Sequence, residues 1–344
     1  MVIATSAQPR TAAPSRHPAS LRLDLLANPY APAPVVREHL NNADEASLPV
    51  DRLESILIAR IARYHRVAPE TIIVANGLAE LLPALFRQVG SAGPLLVFPP
   101  ADDEPQRLAQ EAACDLIAVP RNPAFQVQAS AIPNHPLGSY AAYCMSPNDP
   151  TGSQLRLQDA VTIARTVSHL VIDERNSAYA ARDHLPLHRE FDNVVLIRSL
   201  ETWGGLPGCP LAYAIAGPAF VRETRDHERS GSVDCRSLLA GIATFEHTRY
   251  LDAAASKITQ ERVALIRALR KLNMLRPLPS AANFVLATLE RGNRDHLQSF
   301  LDSRGIAVHY PVQPGLENAI RISACSAHAT AALCQALISW ARDL

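Results

Sequence analysis

The sequence predicts an α/β protein, a mostly parallel sheet covered by helices on both faces and followed by a smaller α+β unit. Three observations carry this. Apolar runs such as SHLVIDE (168–174) and NVVLIRSL (193–200) are short and continuous, without the alternation of a sheet that has one wet face. They alternate with helical stretches, as strands joined by crossover helices do. After about residue 245 the pattern changes to a long helix, a few short strands and a closing helix.

In chain order, LRLDLLANPYAPAP (21–34) reads as an N-terminal arm, and a helix is expected around 50–66. TIIVANGLAELLPALFRQ (71–88) reads as strand, turn and helix. GPLLVFPP (93–100) and DLIAVP (115–120) are short strands, and YAAYCMSPNDPTG (140–152) is a strand running into a Pro/Asn/Gly turn. The two runs named first and LAYAIAG (211–217) complete the set. LDAAASKITQERVALIRALRKLNML has the apolar spacing of an amphipathic helix. ANFVLATLE, a second helix, GIAVHYPV, NAIRISACS and a final helix at 327–343 follow it. The expected organisation is a disordered tail at 1–19, an arm at 20–48 that joins the small domain, a large domain at 49–244 and a small domain at 245–344.

Composition narrows function. The 344 residues carry 33 basic and 33 acidic side chains, a balance that argues against nucleic acid or an anionic membrane as partner. No apolar run approaches the ~20 residues of a membrane-spanning helix. The six cysteines form no CxxC pair and read as free thiols of a reducing, cytoplasmic setting. No metal motif is visible, and no metal is expected. Lysine is nearly absent, with Lys257 and Lys271 the only two.

In a parallel sheet the ligand lies at the carboxyl ends of the strands. Asn76, Asp149, Asp173 and Thr202 all stand just beyond strand ends, so one pocket could gather them.

Six segments in order resemble the fold-type-I family of pyridoxal-phosphate (PLP) enzymes, nearest to histidinol-phosphate aminotransferase and threonine-phosphate decarboxylase. NPYAPAP is similar to the family's NPYGPSP, and YHRVAPETIIVANGLAELL to its YGVDPENIIVGNGSDELI type of segment. SPNDPTG is similar to NPNNPTG, VIDERN to VVDEAY, and RSL with LPG (198–208) to the decarboxylase branch. IRIS (320–323) is similar to the carboxylate-binding segment. The resemblance implies a mostly parallel, seven-stranded type of sheet in an aminotransferase-like large domain, a homodimer, and an amino-acid or small carboxylate ligand. It implies Asp173 at the pyridine nitrogen, Arg321 at the substrate carboxylate, and Asn28 and Tyr30 beside the substrate. Asn76 and Gly77 would stand at a helix start where free N–H groups receive an anion. Ser199 would belong to the cofactor pocket.

The departures from that pattern cluster on the cofactor. The position of the Schiff-base lysine is Thr202, whose hydroxyl forms no imine. Its neighbour is Glu201, where the family has a phosphate hydroxyl. Pro210 stands for the phosphate-clamping arginine, Pro105 for the ring-stacking aromatic, and Leu48 for the tyrosine that crosses the dimer. Asn176 and Asp149 replace the two partners of the ring hydroxyl. Each charge-assisted bond lost is worth ~1.5–3 kcal/mol.

These departures suggest an aminotransferase-fold protein degenerate at its PLP site, with no covalently held cofactor and noncovalent PLP as the lesser reading. It would bind a small carboxylate or amino acid through Arg321, with Asp149, Asp173 and Glu201 converging or dispersing onto arginines. PLP-independent chemistry would draw on Glu201, His309, Tyr310, Cys144 or Cys209. The alternatives are a PLP-dependent aminotransferase or threonine-phosphate decarboxylase-like enzyme with a relocated lysine, and a partner subunit that forms a heterodimer with an active paralogue.

Overall fold

The computed structural model describes residues 21–30, 32–41, 49–227 and 233–342; the expected tail at 1–19 and Leu48 lie outside them. The chain opens with β1 (Leu21–Leu23), α1 (Pro34–Asn41), α2 (Val50–His65), β2 (Ile72–Ala75), α3 (Leu78–Gly90), β3 (Leu95–Val97), α4 (Asp103–Glu111) and β4 (Leu116–Ala118). It continues through β5 (Ala141–Met145), α5 (Leu157–Ala164), β6 (Leu170–Asp173), α6 (Leu185–Glu190), β7 (Val194–Ser199), α7 (Leu200–Trp203), β8 (Ala212–Ile215) and α8 (Pro218–His227). Then come α9 (Cys235–Glu246), α10 (Thr248–Arg270), β9 (Leu275–Pro277), β10 (Phe284–Leu289), α11 (Arg294–Ser303), β11 (Ile306–Val308), β12 (Ala319–Ser323) and α12 (Ala327–Arg342).

Seven strands form one sheet in the order β2-β8-β7-β6-β5-β3-β4, with β8 antiparallel to both neighbours and the other pairs parallel. Its central strands are apolar almost throughout, with polar residues only at their carboxyl ends, because both faces are covered. Leu96, Cys144, Ile172 and Leu196 face the core shared with α2, α5 and α9, while Val97, Tyr143, Val171 and Ile197 face the core shared with α3, α4 and α8. The period of two is present, but hydrophobic side chains fill both phases.

Helix spacing follows the same logic. Leu53, Leu57 and Ile61 of α2 recur every fourth residue and are buried, and Arg66 ends the helix at φ 55°. In α10, Leu251, Ala255, Ile258, Arg262, Leu265 and Leu269 form the inward stripe of a 23-residue helix.

Strands β9, β10 and β12 form a three-stranded antiparallel sheet with α12 against it, and Trp340 is fully buried in that second core. The N-terminal arm lies beside this sheet: β1 pairs in parallel with β11, Leu21 opposite Ile306, in a two-stranded sheet of its own, and an isolated bridge between His309 and Arg321 joins it to β12. Asn283 donates to the Leu26 carbonyl at 2.9 Å, and Ser323 donates to that of Leu25 at 2.6 Å. Among the described residues no helix is long and apolar enough to cross a membrane.

Candidate functional site

The carboxyl ends of β5, β6 and β7 meet the turn after β2 and the edge of β12. Asp173 is the last residue of β6, level with Met145 of β5 and Ile197 of β7. Its side chain is fully buried, and both of its oxygens accept hydrogen bonds. Tyr143 donates to Oδ2 at 2.7 Å, and Arg175 donates to the same oxygen through Nη2 at 2.6 Å and through Nε at 3.0 Å. Arg175 Nη1 also stands 3.7 Å from Asp102. Burial pushes the Asp102 carboxyl up to about 6 against the opposing pull of Arg175.

Arg321 lies in β12, opposite Leu286 of β10. Its Nη1 donates to Asp149 Oδ2, 172 residues away in the turn after β5, and its Nη2 donates to the Asp24 carbonyl at 2.8 Å. The turn that carries Asp149 is held from below by a residue that no motif announces. Arg121 is buried and donates to the Phe98 carbonyl at 2.9 Å and to Asn148 Oδ1 at 2.8 Å.

Glu201 sits in α7, the short helix that Ser199 caps by accepting from the Glu201 N–H at 3.2 Å. It is half-buried and has no ion pair among the described residues; burial raises its carboxyl pKa, partly offset by Arg175. The Glu201 Oε1 lies 3.4 Å from where a Cβ on Gly77 would stand, and Pro210 Cβ lies 3.0 Å from it. Gly77 adopts φ 80°, which brings the chain into the start of α3. Glu201 and Pro210 therefore stand at the N-terminus of α3. Asn76 spends its own N–H on Glu80 at 2.9 Å.

Thr202 donates its hydroxyl to the Arg175 carbonyl at 3.3 Å, and the Tyr179 hydroxyl donates to the Thr202 carbonyl at 3.4 Å. Asn28 donates to the neighbouring Trp203 carbonyl at 2.9 Å and accepts from the Tyr30 N–H, so Asn28 fastens α7 and Tyr30 braces Asn28. The Lys257 Nζ is 5.3 Å from the Tyr30 ring centre, and Lys271 caps the end of α10. A cavity of about 160 Å3 is lined by Arg175, Ser199, Trp203, Tyr64, Glu174 and Arg198. Arg198 there bridges Glu174 at 2.7 Å and Asp183 at 2.8 Å.

The sequence pointed to three acids converging or dispersing, and the structure disperses them. Asp149 pairs with Arg321 and Asp173 with Arg175, while Glu201 has no ion pair among the described residues and is held by Ser199. Among the described residues no three His, Cys, Asp or Glu side chains are grouped to hold a metal ion. His309 exchanges two backbone hydrogen bonds with Arg321, and burial and then that arginine push its imidazole down to about 4. Tyr310 is packed on the second core with its hydroxyl unpartnered. Cys144 is buried against Arg121, and Cys209 lies outside the pocket lining. Sequence reasoning missed Arg175 and Arg121. An arginine two residues after the acid that ends a strand was the available signal for the first, and nothing local marked the second.

Several buried polar atoms here have no hydrogen-bond partner among the described residues. They are both amide atoms of the fully buried Asn176, Asn76 Oδ1 and Arg321 Nε. Buried polar groups are nearly always paired, so these atoms are candidates for contact with a ligand.

The family model for aminotransferase class I and II matches residues 36–339. A histidinol-phosphate aminotransferase of Dehalococcoides mccartyi is 26% identical over 319 residues, 92% of this chain and 89% of that protein. The solved histidinol-phosphate aminotransferase of Sinorhizobium meliloti, in complex with pyridoxal-5'-phosphate, superposes with a TM-score of 0.81 at 23% identity, covering 94% of this chain and 92% of that one. The L-threonine-O-3-phosphate decarboxylase of Porphyromonas gingivalis gives a TM-score of 0.78 at 18% identity, with 94% and 99% covered.

These findings correct one expectation. Thr202 led to the inference that no cofactor is held covalently and that noncovalent PLP is the lesser reading. Against it stand relatives named as aminotransferases over nine-tenths of the chain and a structural neighbour solved with PLP bound. The chain belongs to the aminotransferase class I and II family.

Proposed function

We propose that this protein is a PLP-dependent enzyme acting on the amino group of a small substrate, as an aminotransferase or a decarboxylase of the threonine-phosphate type. The observation that supports it most is the set of unpartnered atoms on Asn176, Asn76 and Arg321, within a chain that matches the family from residue 36 to residue 339. These residues fit a pyridoxal ring. Asp173 is a buried carboxylate for the ring nitrogen, the Asn176 amide could serve the ring oxygen, and the N–H groups at the start of α3 could receive the phosphate. When bound, PLP supplies an electron sink for a carbanion next to nitrogen.

The chain's own residues would do the rest. Tyr143 and Arg175 fix the Asp173 carboxylate in one orientation, which fixes the ring. Arg321 anchors the substrate. Glu201, next to Thr202 and raised by burial, is placed to hold and move a proton at its carboxyl oxygens. The domain limits at 49, 245 and 344 and a homodimeric assembly belong to the same proposal.

The test is an absorbance titration of the purified chain with PLP, beside an Asp173→Ala variant. Saturable uptake with a visible band, lost in the variant, supports the reading. A featureless titration with both proteins overturns it.

A further inference from the structure

We propose that the small domain carries a second ligand site, a groove between the ends of α10 and α12 that takes an amphiphilic carboxylate with a short unbranched chain, of the fatty-acid type. It stands apart from the cofactor reading and uses none of the same residues.

The groove arises where several elements stop. Helix α10 ends at Arg270 and α12 at Arg342, while the chain enters β9 through Met274 and leaves β10 toward Arg291. The residues there enclose about 310 Å3, against about 160 Å3 for the cavity lined by Arg175 and Ser199. The floor is apolar. Met274 belongs to the second core, Leu272 and Ala341 pack on that core, and Ile338 is 43% exposed beside them. An exposed isoleucine that continues a core through a groove is apolar surface left for a ligand to cover.

The rim is basic. Lys271, Arg291 and Arg342 line the groove and are exposed, and none has an ion pair among the described residues. No acid lines it. Glu290, beside Arg291, is committed to Arg276 at 2.9 Å, and Asp343, next after Arg342 in the sequence, lies outside the described residues. Helix ends account for part of this rim. The last carbonyls of α10 and α12 carry about half a negative charge each, which favours Lys271 and Arg342 where they stand. Those two halves leave about two of the three positive charges uncompensated, and Arg291 stands at neither helix end. The chain as a whole has no net charge, so this is a local excess that matches an anion.

Four apolar side chains are too few for a stable protein interface, which takes roughly twenty residues a side. They suffice for one alkyl chain whose head group reaches the cations. The cations are at the surface, where each ion pair adds little, so the tail supplies most of the affinity and the charge selects the head.

Ligand-observed NMR titration of the whole chain at neutral pH with octanoate, butyrate and octylamine tests this. Octanoate is expected to bind at least about tenfold more tightly than butyrate, each buried methylene being worth about fourfold. It should also outbind octylamine, which has a similar tail and the opposite charge, by about fivefold or more. Arg291→Ala should weaken octanoate by about threefold, and Ile338→Asp by about tenfold or more. Both positions are exposed, so both variants should fold. Octanoate bound no better than butyrate or octylamine, or bound equally by wild type and Ile338→Asp, overturns the proposal. So does wild-type protein whose mass doubles with concentration while Ile338→Asp stays at half that mass, since a second copy of the chain then covers the groove.

Discussion

Arg175 lies on the carboxylate of Asp173, two residues before it, through Nε and Nη2 at 3.0 and 2.6 Å to the same oxygen. The acid is fully buried and the arginine nearly so. Removing one partner of such a pair leaves a charge without compensation, typically at a cost of ~3–5 kcal/mol. Arg175→Ala should therefore lower unfolding stability by about 3 kcal/mol or more in urea denaturation. Tyr143→Phe, which removes one hydrogen bond to the same charge, should cost ~1.5–3 kcal/mol.

The Arg321–Asp149 pair joins β12 to the turn after β5. A double-mutant cycle with Arg321→Ala and Asp149→Ala should show a coupling of ~1–3 kcal/mol, with the double variant more stable than the sum of the single losses predicts. Additive losses would show that the two residues contribute separately.

Gly77 stands at φ 80° and ψ 178°, a region open almost only to glycine. A Cβ there would press on Pro210 at 3.0 Å. Gly77→Ala should cost ~1–3 kcal/mol of stability by denaturation and reduce PLP uptake, because the methyl group stands at the N-terminus of α3.

Acid should weaken the fold through its buried histidines. Burial holds His65 down to about 3, with its Nε2 2.8 Å from the Tyr213 hydroxyl, and His309 down to about 4. The unfolded chain takes up these protons as pH falls below about 6.5 and the folded chain does not, so stability falls from pH 6.5 toward 4. The slope is about 1.4 kcal/mol per pH unit for each proton withheld. Asp102, raised to about 6, works the other way, binding its proton in the folded state first and offsetting part of the loss between pH 6 and 4. His65→Gln should flatten the stability profile over that range in pH-stepped denaturation.

The central strands of the main sheet were legible because they are buried on both faces and read as apolar runs that end on a polar residue. Leu170–Asp173 and Val194–Ser199 are the plainest cases. The short β9 was not legible, since Leu275, Arg276 and Pro277 carry no strand signal and take their conformation from pairing with β10. At the site, Asp173, Asn76 and Arg321 could be placed because they follow strands or lie in a recognisable segment. Their partners could not. Arg121 reaches Asn148 across 27 residues, and Asp149 reaches Arg321 across 172, contacts that only the closed fold creates.

The N-terminal arm ties the two small sheets to α7 at the candidate site. Leu21–Leu23 extend β11, Asn283 and Ser323 clasp the carbonyls of Leu26 and Leu25, and Asn28 grips the backbone of Trp203. These arm residues thus contact segments some 180 and 280 residues downstream. An amino terminus shortened past Asn28 would therefore strip these fastenings from α7 and the small sheets while leaving the strands of the main sheet in place.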